Sequence, residues 1–338
     1  MGEQNCTLFS PRSSSSIQCV TIATVKSITA TFSLIGCLCM LLVIWLFRKY
    51  NSLAQKMILS LTVAAFFDSI AYAMGEVIPD GALCNFQAWW LTYFDWCSLS
   101  WVCCITFNLY LNVVKEIRTD QFALAYHVTA WGIPFAFSCL PLFGDYYGPA
   151  GAWCWITDEH VVWRFVIWYV PLFTLIFLMM LCYLRIISVA KQRVATWSGT
   201  YDPGRERSKI MMAEEIKPLK WYPCVYLAVS LFPLLNRIHN AFYPSHPVFV
   251  LTLLHVISAP LHGLANAFVF GLDKETWRQL QIASIKAAFQ SRFFDRTKIK
   301  EYQPANMRYT AQLEEEDSCD DTTVLFSYPS VTLRDKGP

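Results

Sequence analysis

Apolar residues run along this chain in seven long blocks separated by polar stretches. The blocks cover roughly Thr24–Phe47, Met57–Ile78, Phe86–Val114, Phe122–Phe143, Val161–Ile187, Leu219–Phe242 and Val248–Leu272. A helix needs about 20 apolar residues to cross the hydrocarbon core of a bilayer, and each block is long enough. The pattern predicts an all-α membrane protein, a bundle of seven transmembrane helices with its two chain ends on opposite sides.

Charge in the connections orients the bundle. Arg48, Lys49 and Lys56 follow the first block, Lys115 and Arg118 the third, and Lys191, Arg193, Arg205, Arg207, Lys209 and Lys217 the fifth. The alternate connections at 79–83, 144–160 and 243–247 contain no Lys or Arg. Ahead of the first block stands only Arg12, with Lys26 at the expected membrane edge. Lys and Arg accumulate on the cytoplasmic side, which predicts the N-terminus outside and the C-terminus inside a multi-pass plasma-membrane protein. The net charge of +2 conceals this segregation. A hydrophobic share of 55% argues against an ordinary soluble domain, and nothing in the pattern suggests a nucleic-acid partner.

Four stretches follow from these signals: an extracellular N-terminus at 1–20, the helical domain at 21–272, a membrane-surface helix at 273–294, and a disordered cytoplasmic tail at 295–338. The first block is too long for a signal-peptide core and lacks a small-residue cleavage site, so it is expected to serve as its own insertion signal. Asn5-Cys6-Thr7 is an N-glycosylation acceptor pattern on the expected outer side. The tail carries Glu314, Glu315, Glu316, Asp317, Asp320 and Asp321 beside Ser318; a phosphorylated switch and a merely solvated tail are both open readings.

Most of the 13 cysteines fall inside the blocks, where they serve as small apolar packing groups. Cys6, Cys19, Cys84 and Cys154 fall outside, on an oxidising face. Pairing Cys84 with Cys154 would staple the long outer loop over the mouth of the bundle; Cys6 with Cys19 is a second pairing to consider.

Polar groups inside spanning helices are costly and tend to face the bundle interior. Asp95 lies eleven residues after Cys84, on the same helical face and about 16 Å further along at 1.5 Å per residue. Arg237 and Asn240 lie on one stripe of the sixth block, with His239 close by; His255, Ser258, His262 and Asn266 mark a stripe of the seventh. Asp95, Trp96, Arg164, Arg237, His239, Asn240 and His255 are therefore the candidate lining of an outward-facing cavity for a small extracellular ligand. Plainer readings stand beside this one. Arg237 could snorkel to the interface. Asp95 and Arg237 could form a structural pair. His255 and His262 could be core histidines with internal partners, and Trp89, Trp90, Trp153 and Trp155 could belong to the interfacial belt. Pro171, Pro233 and Pro260 would kink the fifth, sixth and seventh helices into hinges.

Several chemistries are disfavoured. The seventh block has no lysine for a retinal Schiff base, no phosphate loop or nucleophile elbow is present, and the six histidines form no metal-binding box. No enzyme activity, metal or cofactor is expected. A transporter or channel, or a seven-helix membrane hydrolase, is the alternative to a receptor; neither internal repeats nor a charged pore ring favours the first.

Four short runs carry a resemblance: Gly-Ala-Trp-Cys-Trp-Ile at 151–156, Trp-Gly-Ile-Pro at 131–134, Asn-Arg-Ile-His-Asn at 236–240 and Trp-Tyr-Pro at 221–223. Together, and in order over about 20–280, they resemble the cAMP-receptor-like family of G-protein-coupled receptors. The chain lacks the Asp-Arg-Tyr and Asn-Pro-x-x-Tyr motifs of rhodopsin-like receptors. The resemblance implies a seven-helix receptor coupled to a heterotrimeric G protein, and it implies the Cys84–Cys154 disulfide. An anionic ligand would favour Arg237 and Arg164, since phosphate prefers an arginine partner. Lys115, Arg118, Lys191, Arg193, Lys217 and Lys220 would then border the G-protein face, although positive-inside topology alone accounts for bases there.

Overall fold

The structure is a computed structural model that describes residues 13–74, 81–117, 119–150, 153–196, 219, 221–243, 248–271, 276 and 280–293. Asn5, Cys6, Arg118, Lys217, Lys220 and the acidic tail lie outside the described residues, as do the side chains of Cys19, Lys191 and Arg193. The chain divides into a unit of residues 1–280 and a second of 281–338; in the second, one helix runs over Ile282–Phe293.

Seven helical rods make up the described part of the first unit. They are α1 (Ser13–Leu46), α2 (Leu53–Ala73), α3 (Ala82–Lys115), α4 (Asp120–Gly144), α5 (161–196), α6 (Tyr222–Phe242) and α7 (Phe249–Gly271). A helix is the form in which a hydrocarbon environment leaves no backbone group unpaired. Six rods are long and apolar enough to cross a membrane. The exception is α6, whose run from Tyr222 includes Ser230, Asn236, Arg237, His239 and Asn240. The chain thus has the pattern of a multi-pass membrane protein, with six candidate spans and a more polar seventh rod.

Local sequence explains how the rods begin and bend. Ser52 Oγ accepts from the Gln55 backbone N–H at 3.3 Å, and Gln55 Oε1 accepts from the Ser52 N–H at 3.4 Å. This reciprocal cap starts α2. In α4 a π turn at Val128–Gly132 precedes Pro134, and in α5 another at Phe165–Tyr169 precedes Pro171. Proline removes an N–H, and its ring crowds the carbonyl four residues back, here Ala130 and Ile167. Both carbonyls lie inside the widened turns, which take up the clash. A 3-10 turn at Ala259–Leu261 plays this part around Pro260. At Pro233, by contrast, α6 runs on as helix with no π or 3-10 turn.

In packing, α1 lies on α2 and α7, α2 on α3, and α6 on α7. The hub is α3, which touches α2, α4, α5 and α6. Gly263 permits the close crossing of α1 and α7, because a Cβ there would run into Cys37 Sγ and Ser33 Oγ. Ser33 Oγ sits 3.0 Å from Ser69 Oγ and accepts from the Leu264 backbone N–H at 3.2 Å, tying α1, α2 and α7 together.

A two-stranded antiparallel hairpin joins α4 to α5. Its strands, β1 (Tyr147–Pro149) and β2 (Cys154–Ile156), pair Tyr147 with Ile156 and Pro149 with Cys154. Cys154 is disulfide-bonded to Cys84 in the first turn of α3. The Tyr147 hydroxyl donates to the Ser138 carbonyl at 2.9 Å, and Arg164 Nε donates to the Ile156 carbonyl at 2.8 Å. Burial pushes the Tyr147 phenol above its ordinary range, so it stays a donor. Three helices thereby hold the hairpin.

Candidate functional site

Beneath the hairpin lies a small cavity of about 40 Å³. Its polar wall is built from Tyr72, Asp95, Tyr226, Ser230, Arg237 and His255, with Trp168 on the α5 side. Three of the sequence-predicted residues, Asp95, Arg237 and His255, are therefore brought together from α3, α6 and α7. One water needs about 10–15 Å³ of such space, so the cavity has room for a few waters, far below the ~300–1,000 Å³ of small-molecule sites.

The cation at its edge is fixed by aromatic rings. The Arg237 guanidinium carbon is 4.1 Å from the Trp155 ring centroid and 5.9 Å from that of Trp153. Arg237 is 8% exposed, so it does not snorkel. A guanidinium over an indole face gains about 2 kcal/mol when desolvated, which offsets part of its burial. Trp153 also stands edge-on to His255 at 5.5 Å. The two hairpin tryptophans, read from sequence as interfacial residues, are buried and roof the cavity through Arg237 and His255. Lys26, placed at the membrane edge from sequence, is fully buried, with its Nζ 5.9 Å from the same Trp153 ring.

The histidines have internal partners. Asn236 Nδ2 donates to His255 Nδ1 at 2.8 Å. His262 Nδ1 lies 2.6 Å from the Ala259 carbonyl and must donate, because a carbonyl only accepts. His262 Nε2 is 3.1 Å from Ser230 Oγ. Deeper on α2, Asp68 is 2% exposed, and its Oδ1 meets no donor among the described residues.

Four predicted residues fall elsewhere. Trp96 follows Asp95, and the 100° helical step turns it away from the cavity, to pack at 5.2 Å on Trp168. Arg164 serves the hairpin through Ile156 and lies 5.2 Å from the Trp155 ring. His239 packs at a tilt against Tyr243 at 5.5 Å, and neither it nor Asn240 lines the cavity. Conversely, the direct part of Trp153, Trp155 and Asn236 was not foreseen. Lys115 is exposed at the far end of α3.

A bundle of membrane-crossing helices, capped by a disulfide-anchored hairpin over a buried polar cavity, has the build of a membrane receptor. The model of the slime mold cyclic AMP receptor family matches residues 13–306, and the chain belongs to that family. It is 24% identical to "Cyclic AMP receptor-like protein A" of Dictyostelium discoideum, over 73% of this chain and 63% of that protein's length. It is 24% identical to "G-protein coupled receptor 1" of Arabidopsis thaliana, over 77% of this chain and 80% of the relative. With "G-protein coupled receptor 157" of Rattus norvegicus the identity is 28%, over 68% and 72%. These relatives are named as receptors and not as enzymes, as the sequence reading expected.

Proposed function

We propose that this protein is a seven-span plasma-membrane receptor that binds a small extracellular anion beneath its hairpin and activates a heterotrimeric G protein at the opposite end. The observation that carries the reading is Arg237, a buried cation held at 4.1 Å against Trp155 on the cavity wall. An incoming anion would exchange the weaker attraction of the ring for a charge-assisted hydrogen bond. Arg164 and Lys26, under the same two tryptophans, add positive potential that favours anions.

The hairpin end is taken as extracellular, because its connections carry no Lys or Arg while those at the other end are basic. The disulfide fits that side. At about 40 Å³ the cavity admits no organic ligand in this conformation, so binding must lift the tryptophan roof or part α6 from α5. Because a ligand shifts the bundle only by its differential affinity, binding that needs the open form favours it. The bend points at Pro171 and Pro260 then carry the change toward the inner face, where Lys115 and the other inner-loop bases meet the G protein.

The test is an anion panel, cyclic nucleotides included, applied to membranes containing the receptor with a G-protein readout. An agonist should lose at least about ten-fold in potency in Arg237→Ala, the size of one charge-assisted hydrogen bond. Unchanged potency in the variant would place the ligand elsewhere.

A further inference from the structure

A much larger cavity is a separate space. A groove of about 800 Å³ opens on the lipid-facing side of α3, between α4 and α5. Both of those helices pack on α3. The π turns and prolines that bend α4 and α5 border the groove, and Pro134 and Pro171 both line it. Along α3 it runs from Trp96 to Leu111, fifteen residues and about 22 Å at 1.5 Å per residue. No charged residue lines it among the described residues. Its rims are exposed apolar side chains of membrane-crossing helices, Phe107 at 50% and Val170 at 57% among them. What fills the groove therefore comes from the bilayer.

Three features narrow the occupant. The volume lies within the ~300–1,000 Å³ range of small-molecule sites. Aromatic side chains, Trp96, Phe107, Phe122, Tyr126 and Phe137, supply flat walls that suit a rigid ring body. One end is polar. The Trp96 indole N–H is buried and meets no acceptor among the described residues, and Ser100, one turn on, lines the groove beside it. A buried donor without an acceptor costs about 1–3 kcal/mol, which a ligand hydroxyl would recover.

We propose that this groove binds a neutral, ring-built lipid alcohol of the sterol class, with its hydroxyl at Trp96 and Ser100 and its apolar body along Phe107 and Tyr126. The site is distinct from the polar cavity, because Trp96 and Trp168, in contact at 5.2 Å, partition the two. The inference does not depend on the anion reading.

The experiment uses the full chain in phosphatidylcholine nanodiscs containing a diazirine-bearing sterol, with cross-linked peptides mapped by mass spectrometry. Labelling should concentrate on α3, α4 and α5 and fall about ten-fold when excess unlabelled sterol competes. Ala125→Trp and Thr129→Trp, at exposed lining positions, should each reduce it similarly while the disulfide stays intact. Even labelling of all the helices, labelling that sterol does not compete, or undiminished labelling in both filled variants would overturn the proposal. So would a diazirine phospholipid that labels the groove equally and is not displaced by sterol, for the occupant would then be an ordinary acyl chain.

Discussion

Two cavities flank the Trp96–Trp168 contact, and their construction differs in nearly every respect. The one under the hairpin is about 40 Å³ and polar, and the groups around it are held by named partners, such as Asn236 on His255 and Ser230 on His262. The one facing the lipid is about 800 Å³, apolar and open at the side. The difference follows from what surrounds each. Inside the bundle an unpaired polar group has no solvent to turn to, so partners such as these offset its cost, although Asp68 Oδ1 meets no donor among the described residues. Against hydrocarbon an apolar wall gains little by closing, because lipid tails are as apolar as leucine. A tightly partnered site suits discrimination of a charged ligand, and a loose apolar one suits a lipid.

That contrast predicts a gradient of sensitivity. The largest loss should follow Cys84→Ser, which frees the hairpin; a disulfide across a 70-residue separation stabilises by about 4 kcal/mol. Unfolding in mixed micelles measures it, and an unchanged midpoint would mean that the hydrogen bonds of the hairpin suffice alone. Next comes Trp155→Ala, which removes a buried indole between Arg237 and Arg164 and should cost about 3 kcal/mol. Gly263→Val should cost about 2 kcal/mol, by forcing α7 away from Cys37 and Ser33 of α1. Asn236→Ala leaves His255 Nδ1 without its donor and should cost about 1 kcal/mol. Smallest of all is Ile133→Ala on the groove wall, 52% exposed, which should change stability by less than about 1 kcal/mol. If Ile133→Ala costs as much as Asn236→Ala, the contrast between the two cavities fails.

Much of this arrangement could be read from the chain before the structure. The apolar blocks correspond to the helical rods, because a membrane-crossing helix needs only length and hydropathy to declare itself. Cys84 and Cys154 do form the disulfide. Asp95, Arg237 and His255 do line one cavity, because helical phase carried from Cys84 places Asp95 on the inward face. Three things escaped. Trp96 was grouped with Asp95, although consecutive residues on a helix diverge by 100° and here face different cavities. Trp153 and Trp155 resembled the interfacial belt, because their inward turn depends on the hairpin, whose short strands show no periodicity of their own. The lipid-facing groove depends on π turns at Val128–Gly132 and Phe165–Tyr169; proline marks the neighbourhood of such turns but not their kind.

The central claim is that Arg237, under the tryptophan roof, receives an anion whose binding is read at the other end of the bundle. The most direct measurement is guanine-nucleotide exchange on a reconstituted heterotrimeric G protein, with the wild-type receptor and Arg237→Ala compared over one anion panel in nanodiscs. The account predicts that at least one anion accelerates exchange with the wild type, and that Arg237→Ala loses about ten-fold or more in potency with its disulfide intact. Exchange that responds to a neutral ligand and to none of the anions, or to an anion with equal potency in both proteins, would contradict it.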